Sequence, residues 1–404
     1  MDRKSERIKL IDFGSQPIAH RMLATATEEE FTHPFSISLC ESSGLVRIDD
    51  PIAPEELYTN YFCLSEWKWQ PHIPQLATRI EEISELAKDD FILEVGSNDG
   101  GFLEVLKERG FQNVLGIEPA NDALASANKR GVETIPGYFT PELAAEIVAK
   151  RGQCDLFVSR QVLEHIGDLD QYREALSTVL RPGGFALIEV PDFQFSLDTG
   201  DYSAIWEEHV NYFTLPSLSH FMAQAGIEVQ HSETVNFSGQ GLVALGRRTA
   251  QSLAVDSIEN LDQLRAKALA YRDYWPTFRD RFLEYLQQAR RDGKRIAVYG
   301  AGCRACSLIN FTGAAPYIDF MVDDQLEKQN KFMPGSRLPV LPTSALRDQS
   351  VDICLLTVNS ENDEKVIAKH QTLTESGLVF VPVLPPSENL PDFFWQNVQQ
   401  AHAN

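Results

Sequence analysis

Glu94, Asp99 and Glu118 are the residues whose types and spacing first suggest chemistry in this chain. The first two lie in "FILEVGSNDGG", residues 91–101, where an apolar run passes into a glycine turn and then into a helix-like pattern. A turn that closes a strand and opens a helix lets a ligand approach the backbone closely at Gly96, Gly100 and Gly101. The spacing departs from G-x-G-x-x-G, and two carboxylates are poor neighbours for a pyrophosphate, which needs an uncharged nest of N–H groups. The expected ligand is cationic and free of phosphate. A second apolar run ends in Glu118 ("GIEPA"), placed to accept both hydroxyls of a ribose. S-adenosylmethionine, with its sulfonium and amino groups, fits both turns. The competing readings are a nicotinamide-dinucleotide domain and a sheet without a cofactor.

The elements that must position these residues follow from hydrophobic periodicity. From about residue 88 to 248, the strand runs "FILEV", "NVLGI", "CDLFVS" and "GFALIEV", then "IEVQHSETV" and "LVALGRR", alternate with amphipathic stretches, the βαβ rhythm of a parallel sheet. A long charged amphipathic segment, about 253–292, leads into a second α/β block containing "RIAVYGAG", "YIDFMVDD", "DICLLTVN" and "LVFVPVL". Before these blocks lie the β-like "FSISLC" and "GLVRID" and an aromatic stretch, "LYTNYFCLSEWKW". The expected fold is α/β: a small N-terminal accessory domain at 1–85, a Rossmann-like cofactor-binding domain at 86–250, and a second Rossmann-like domain at 251–404.

Composition narrows the partners. Against 58 Asp+Glu the 404-residue chain sets only 36 Lys+Arg, a formal charge of -22 that repels nucleic acid and anionic lipid. No apolar run approaches the roughly eighteen residues of a membrane span, and "MDRKSERIKLIDFG" carries no signal-peptide core, so the expectation is a cytoplasmic protein. The six cysteines are scattered, and Cys303 with Cys306 forms a single C-x-x-C that cannot complete a four-ligand zinc site. It reads instead as a helix start.

Taken together, "ILEVGSNDG", "GIEPA", "SRQVLEHI" and "LRPGGFALIEVPD" resemble the class I S-adenosylmethionine-dependent methyltransferases. More narrowly, the chain resembles the three-part bacterial C-methyltransferases of deoxysugar pathways, which methylate a carbon beside the ketone of a nucleotide-linked keto sugar. The likeness spans nearly the full length, through "LIDFGSQPIAHRML", the aromatic stretch around Tyr61, "WEEHVNYF", "YGAGCRACSLINFTG" and "DDQLEKQNKFMPG". It implies a cofactor set of Glu94, Gly96, Ser97, Asn98, Asp99, Gly100, Glu118, Pro119, Phe139, Arg160 and Gln161. Two departures stand out. The family's paired C-x-x-C motifs for zinc are reduced to Cys40 and "ESSG", so no metal is expected and the N-terminal domain must be held by packing. Trp206 occupies a position, three before His209, where the family commonly carries a tyrosine.

The reaction implied by the resemblance requires a base, because a carbon beside a carbonyl becomes nucleophilic only on losing a proton, and alignment then completes the in-line transfer. His209 is the first candidate base, with Glu208 to orient it or share the work. His165 is the candidate for bonding the enolate oxygen or for acting as the alternative base, and Tyr61 and Tyr212 are candidate hydroxyl donors. Trp206 reads as a packing wall, while His20 and His72 face the substrate only by their place in the resemblance. In "VYGAGCRACSLINF", Arg304 sits in the first turn of an expected helix, a candidate diphosphate contact, with Tyr299 and Lys328 as further substrate contacts. The partner is then a nucleotide-linked sugar, bound by a monomer or homodimer. The alternatives are an O- or N-methyltransferase, a C-methyltransferase acting on another natural-product intermediate, and a non-catalytic descendant.

Overall fold

The computed structural model describes residues 6–58, 70–237, 239–249, 258, 260–387 and 389–391. Chain entry is an antiparallel array of β1 (Arg7–Pro17), β2 (Thr32–Cys40) and β3 (Val46–Ile48). The central sheet then forms from β4 (Ile92–Val95), β5 (Val114–Glu118), β6 (Thr134–Pro136), β7 (Cys154–Arg160) and β8 (Leu180–Pro191), all parallel. A short strand, β9 (Asn211–Tyr212), leaves this region to pair with β3, so the methyltransferase segment completes the N-terminal sheet. Antiparallel β10 (Ile227–Val235) and β11 (Gly241–Arg248) finish the central sheet in the order β10-β11-β8-β7-β4-β5-β6. The strand order reverses at β4, whose neighbours are β5 and β7, and the crevice beyond the carboxyl ends of these strands is where a doubly wound sheet binds ligands. Burial of both faces explains why β4 and β5 read as unbroken apolar runs ending near a single acid.

A 31-residue helix, Leu261–Arg291, occupies the segment expected to bridge the two α/β blocks. Its buried residues, Leu264, Ala268, Tyr271, Trp275, Phe278, Phe282, Leu286 and Ala289, recur every three or four positions and form one stripe. The last sheet comprises β12 (Ile296–Tyr299), β13 (Phe320–Val322), β14 (Lys331–Phe332), β15 (Pro339–Leu341), β16 (Ile353–Leu356) and β17 (Val379–Pro382), ordered β14-β15-β13-β12-β16-β17. Cys303 opens the helix Cys303–Thr312, with Cys306 buried in its first turn.

The N-terminal sheet has no core of its own. Leu10, Phe13, Phe35 and Ile37 share one apolar cluster with the long helix and with the C-terminal block. Phe13 stacks on Phe311 with ring centroids 3.9 Å apart and meets Trp275 edge-on at 5.3 Å. Packing across the three segments holds this sheet in place. Among the described residues, no helix is long and apolar enough to cross a membrane.

Candidate active site

The glycine turn after β4 is shaped by its neighbours. Gly96 and Gly100 adopt φ of +66° and +77°, and a Cβ built at Gly96 would lie 2.3 Å from Val162 Cγ2, so only glycine lets the loop after β7 pack against this turn. Glu118 ties two backbones together: Oε2 accepts from the Asn98 amide at 3.0 Å and Oε1 from the Ala120 amide at 2.8 Å. Each carboxylate oxygen retains a lone pair for a further donor. Asp99 accepts from the Gly101 amide at 3.1 Å, at the start of the helix Gly101–Glu108, and pairs with Arg130 at 2.8 Å.

A cleft opens beside this turn, lined by Glu94, Gly96, Ser97, Asp99 and Arg160 among others. Arg160 Nη1 lies 3.6 Å from Glu94 Oε1, while Glu94 Oε2, Arg160 Nη2 and Ser97 Oγ are buried without partners. Burial, only partly countered by Arg160, pushes the Glu94 carboxyl up to about 8. A carboxyl oxygen and a guanidinium nitrogen that lack hydrogen-bond partners, side by side in one cleft, suit a zwitterionic amino-acid group. The donor set therefore fits the methionine end of S-adenosylmethionine, and Glu118 the ribose.

Arg160 is itself held from below. Glu189, fully buried in β8, accepts from Arg160 Nε at 3.0 Å, from His72 Nε2 at 2.9 Å and from Gln161 Nε2 at 3.1 Å. Burial alone would raise the Glu189 carboxyl; Arg160 and the hydrogen bonds outweigh it and hold the group at about 2. The Arg160 guanidinium also covers the Phe102 ring at 4.5 Å. His72, expected to face substrate, supports this network instead.

Five residues beyond Arg160, the histidines converge. His165 lies in a single 3-10 turn, Leu163–His165, whose carbonyls at Leu163 and Ile166 both accept from the buried Asn211 side chain, at 3.0 and 2.7 Å. The turn is thereby locked to the "HVNY" segment. His165 Nδ1 donates to the Glu208 carbonyl at 2.8 Å, which fixes the neutral tautomer and leaves Nε2 with the lone pair. Neutral His165 thus offers an acceptor, the geometry of a base rather than of a donor to an enolate. Its ring meets that of His209 edge to face at 4.9 Å, and Trp206 lies 3.9 Å from the His209 ring on another side. Tyr58 Oη lies 3.4 Å from His165 Nδ1, and burial keeps its phenol protonated. Glu164 is buried with neither oxygen paired, and burial pushes it up to about 8. Glu208 Oε1 pairs with His20 Nδ1 at 2.5 Å.

Burial depresses both imidazoles, His209 well below the ordinary 6.5. A depressed value extends the neutral, base-competent form to lower pH. The acidic limb of the kcat/KM–pH profile should accordingly lie below pH 6.5; a limb above 6.5 would show that His209 is not the group reported.

Comparison with known proteins bears on this arrangement. Residues 68–232 match the family described as a methyltransferase domain, and residues 247–385 match the C-methyltransferase C-terminal domain. The C-methyltransferase NovU of Streptomyces niveus is 29% identical over 393 residues, spanning 94% of this chain and 93% of that protein. The chain is an S-adenosylmethionine-dependent methyltransferase that carries the C-methyltransferase C-terminal domain. A ubiquinone biosynthesis O-methyltransferase of Cupriavidus pinatubonensis is 31% identical over 99 residues, 24% of this chain and 39% of that one. Among solved structures, the geranyl diphosphate C-methyltransferase of Streptomyces coelicolor A3(2) covers 43% of this chain and 79% of its own, at 12% identity and a TM-score of 0.35.

The remaining site candidates of this methyltransferase fall in several places. Pro119 directly follows Glu118 at the end of β5, and Phe139 packs on Phe157 and Tyr172 with ring centroids 5.6 and 5.3 Å away. Tyr61 lies outside the described residues. Tyr212 is buried in β9, and its hydroxyl donates to the Trp206 carbonyl at 3.1 Å, which braces the loop that carries His209. Arg304 is buried against the methyltransferase segment: Nη2 meets Asp201 Oδ2 at 2.6 Å and the Pro385 carbonyl at 3.3 Å, and Nε donates to Ser203 Oγ at 3.1 Å. That arrangement latches two blocks together where a diphosphate contact was expected. Tyr299 donates to Asp324 at 2.7 Å, within the C-terminal block, and Lys328 follows β13 on a half-buried turn. Glu164, Glu189, Asn211 and Tyr58 escaped the sequence reading. Glu189 had a signal, a lone acid inside the apolar run "FALIEV".

Because Glu118 joins the first two turns, Glu118→Ala should weaken S-adenosylmethionine binding by about tenfold to a hundredfold, the worth of hydrogen bonds to a charged group. Calorimetric titration checks this, and unchanged affinity would remove Glu118 from the ribose.

Proposed function

We propose that this C-methyltransferase acts on the carbon beside the ketone of a nucleotide-linked keto sugar, by way of an enolate. The observation that supports this reading is the edge-to-face contact of two buried imidazoles, His165 and His209, with His165 Nδ1 held by the Glu208 backbone carbonyl, since a carbon acceptor needs a base of this kind. S-adenosylmethionine supplies a methyl group on a positively charged sulfur. Glu118 is placed to hold the ribose, and Glu94 with Arg160 the amino-acid end. His209 takes the proton from the carbon, leaving its electron pair delocalised onto the ketone oxygen, and Glu208 steadies the positive charge that the imidazole gains. His165 Nε2 accepts from a sugar hydroxyl or takes the proton in place of His209. Tyr58 supplies a neutral O–H beside the histidines for the enolate oxygen. The sugar acceptor rests on the full-length resemblance to the deoxysugar enzymes, Trp206 marking a changed wall of that pocket.

The test is proton exchange without cofactor. In deuterated water, a nucleotide-linked 4-keto sugar should lose its proton signal beside the ketone when the enzyme is added. Absence of exchange, together with transfer of label to oxygen or nitrogen of an acceptor, would overturn the proposal.

A further inference from the structure

The two acids before His209 are gripped from outside the methyltransferase core. Past the end of β1, the Ala19 amide donates to Glu207 Oε1 at 2.6 Å, and the next residue, His20, brings Nδ1 to 2.5 Å from Glu208 Oε1. Two consecutive residues of the N-terminal segment thus meet two consecutive residues 188 positions away. The His20 and Glu208 side chains are each only 10% exposed, so water screens the pair weakly. Glu208 faces the site twice. Its carboxylate meets His20, while its backbone carbonyl accepts from His165 Nδ1 and sets that ring's tautomer. The groups around it are Glu207, pushed up to about 7 by burial and by Glu208 itself, Tyr58, and the His165–His209 pair. Within this set, His20 is the partner that meets the Glu208 carboxylate directly.

We propose that His20 is a positioning residue of the active site: by holding the Glu208 side chain it fixes the segment that carries His209 and, through the Glu208 carbonyl, the tautomer of His165. The N-terminal domain is then part of the catalytic apparatus. Its contact also registers the N-terminal sheet against the site. This inference rests on the proposed enolate chemistry for its kinetic consequence, and on the hydrogen bonds alone for its structural one.

The experiment compares His20→Ala with His20→Asn, whose side-chain amide occupies the place of Nδ1 and donates to Glu208. His20→Ala should lower kcat about tenfold to a hundredfold with the affinity for S-adenosylmethionine unchanged, and His20→Asn should recover most of the loss. In ¹⁵N-histidine-labelled protein, His165 should hold its proton on Nδ1 in the wild type and in His20→Asn, and become a mixture of tautomers in His20→Ala. Wild-type kcat and an unchanged His165 tautomer in His20→Ala would overturn the proposal, as would loss of activity in His20→Asn as complete as in His20→Ala. If the wild type itself methylates no keto sugar, the acceptor assignment fails, and the tautomer measurement still decides the role of His20.

Discussion

His209→Ala should lower methyl transfer by about 10²–10⁴-fold, the usual consequence of losing a positioned acid or base, and leave cofactor affinity unchanged. The separation follows from the geometry. The cleft that suits the cofactor is lined by Glu94, Gly96, Ser97 and Arg160, whose side-chain ion pairs and hydrogen bonds run to one another and to Glu189 rather than to His209. Removing the imidazole opens space beside Trp206, whose ring lies 3.9 Å away, while the His165 turn stays clamped by Asn211. Single-turnover transfer and calorimetric titration measured on the same preparation distinguish the two effects. Turnover equal to wild type would remove His209 from the mechanism and leave His165, with its free Nε2 lone pair, as the base.

Glu189→Leu should destabilise the protein by about 3–5 kcal/mol, because removing one partner of a buried charge network leaves the others uncompensated. Arg160 and His72 both donate to this carboxylate, and Arg160 would retain only Glu94, 3.6 Å away. The pH dependence has a definite sign. The folded-state value of Glu189, about 2, lies below its ordinary 4.5, so its contribution is fully present above 4.5 and lost as pH falls towards 2. Urea unfolding of wild type and variant at pH 7 and pH 4 tests both points. The gap between the proteins should narrow at the lower pH, and a loss below about 1 kcal/mol at pH 7 would show that the network contributes little. The same substitution should weaken cofactor binding, since Arg160 loses its support.

The central domain was legible because the fully buried parallel strands are written as unbroken apolar runs, and the expected runs "FILEV", "NVLGI", "CDLFVS" and "GFALIEV" coincide with β4, β5, β7 and β8. The candidate cofactor turn was legible for the same reason: Glu94, Gly96 and Glu118 sit at or next to the ends of strands that local pattern fixes. The 11-residue strand β1 was less visible, since its mixed exposed and buried positions have no clean alternation and its packing depends on Phe311 and Trp275, far along the chain. Side-chain partners were hidden for a related reason. Asp99 carries Arg130 beside it, 31 positions along the chain, and Arg304, expected as an anion contact, meets Asp201, 103 positions away. A sequence shows residue types at a strand end, but the charge that faces them comes from elsewhere in the chain.

The most direct test of the account is the position of the transferred methyl group. The enzyme would be incubated with S-adenosylmethionine bearing a ¹³C-labelled methyl and with nucleotide-linked 4-keto sugars, and the product examined by NMR. The account predicts a new carbon–carbon bond at the position beside the ketone, with the label coupled to that ring carbon and the proton there lost to solvent. A label at the chemical shift of an O-methyl ether or an N-methyl group, on any acceptor the enzyme turns over, would contradict it.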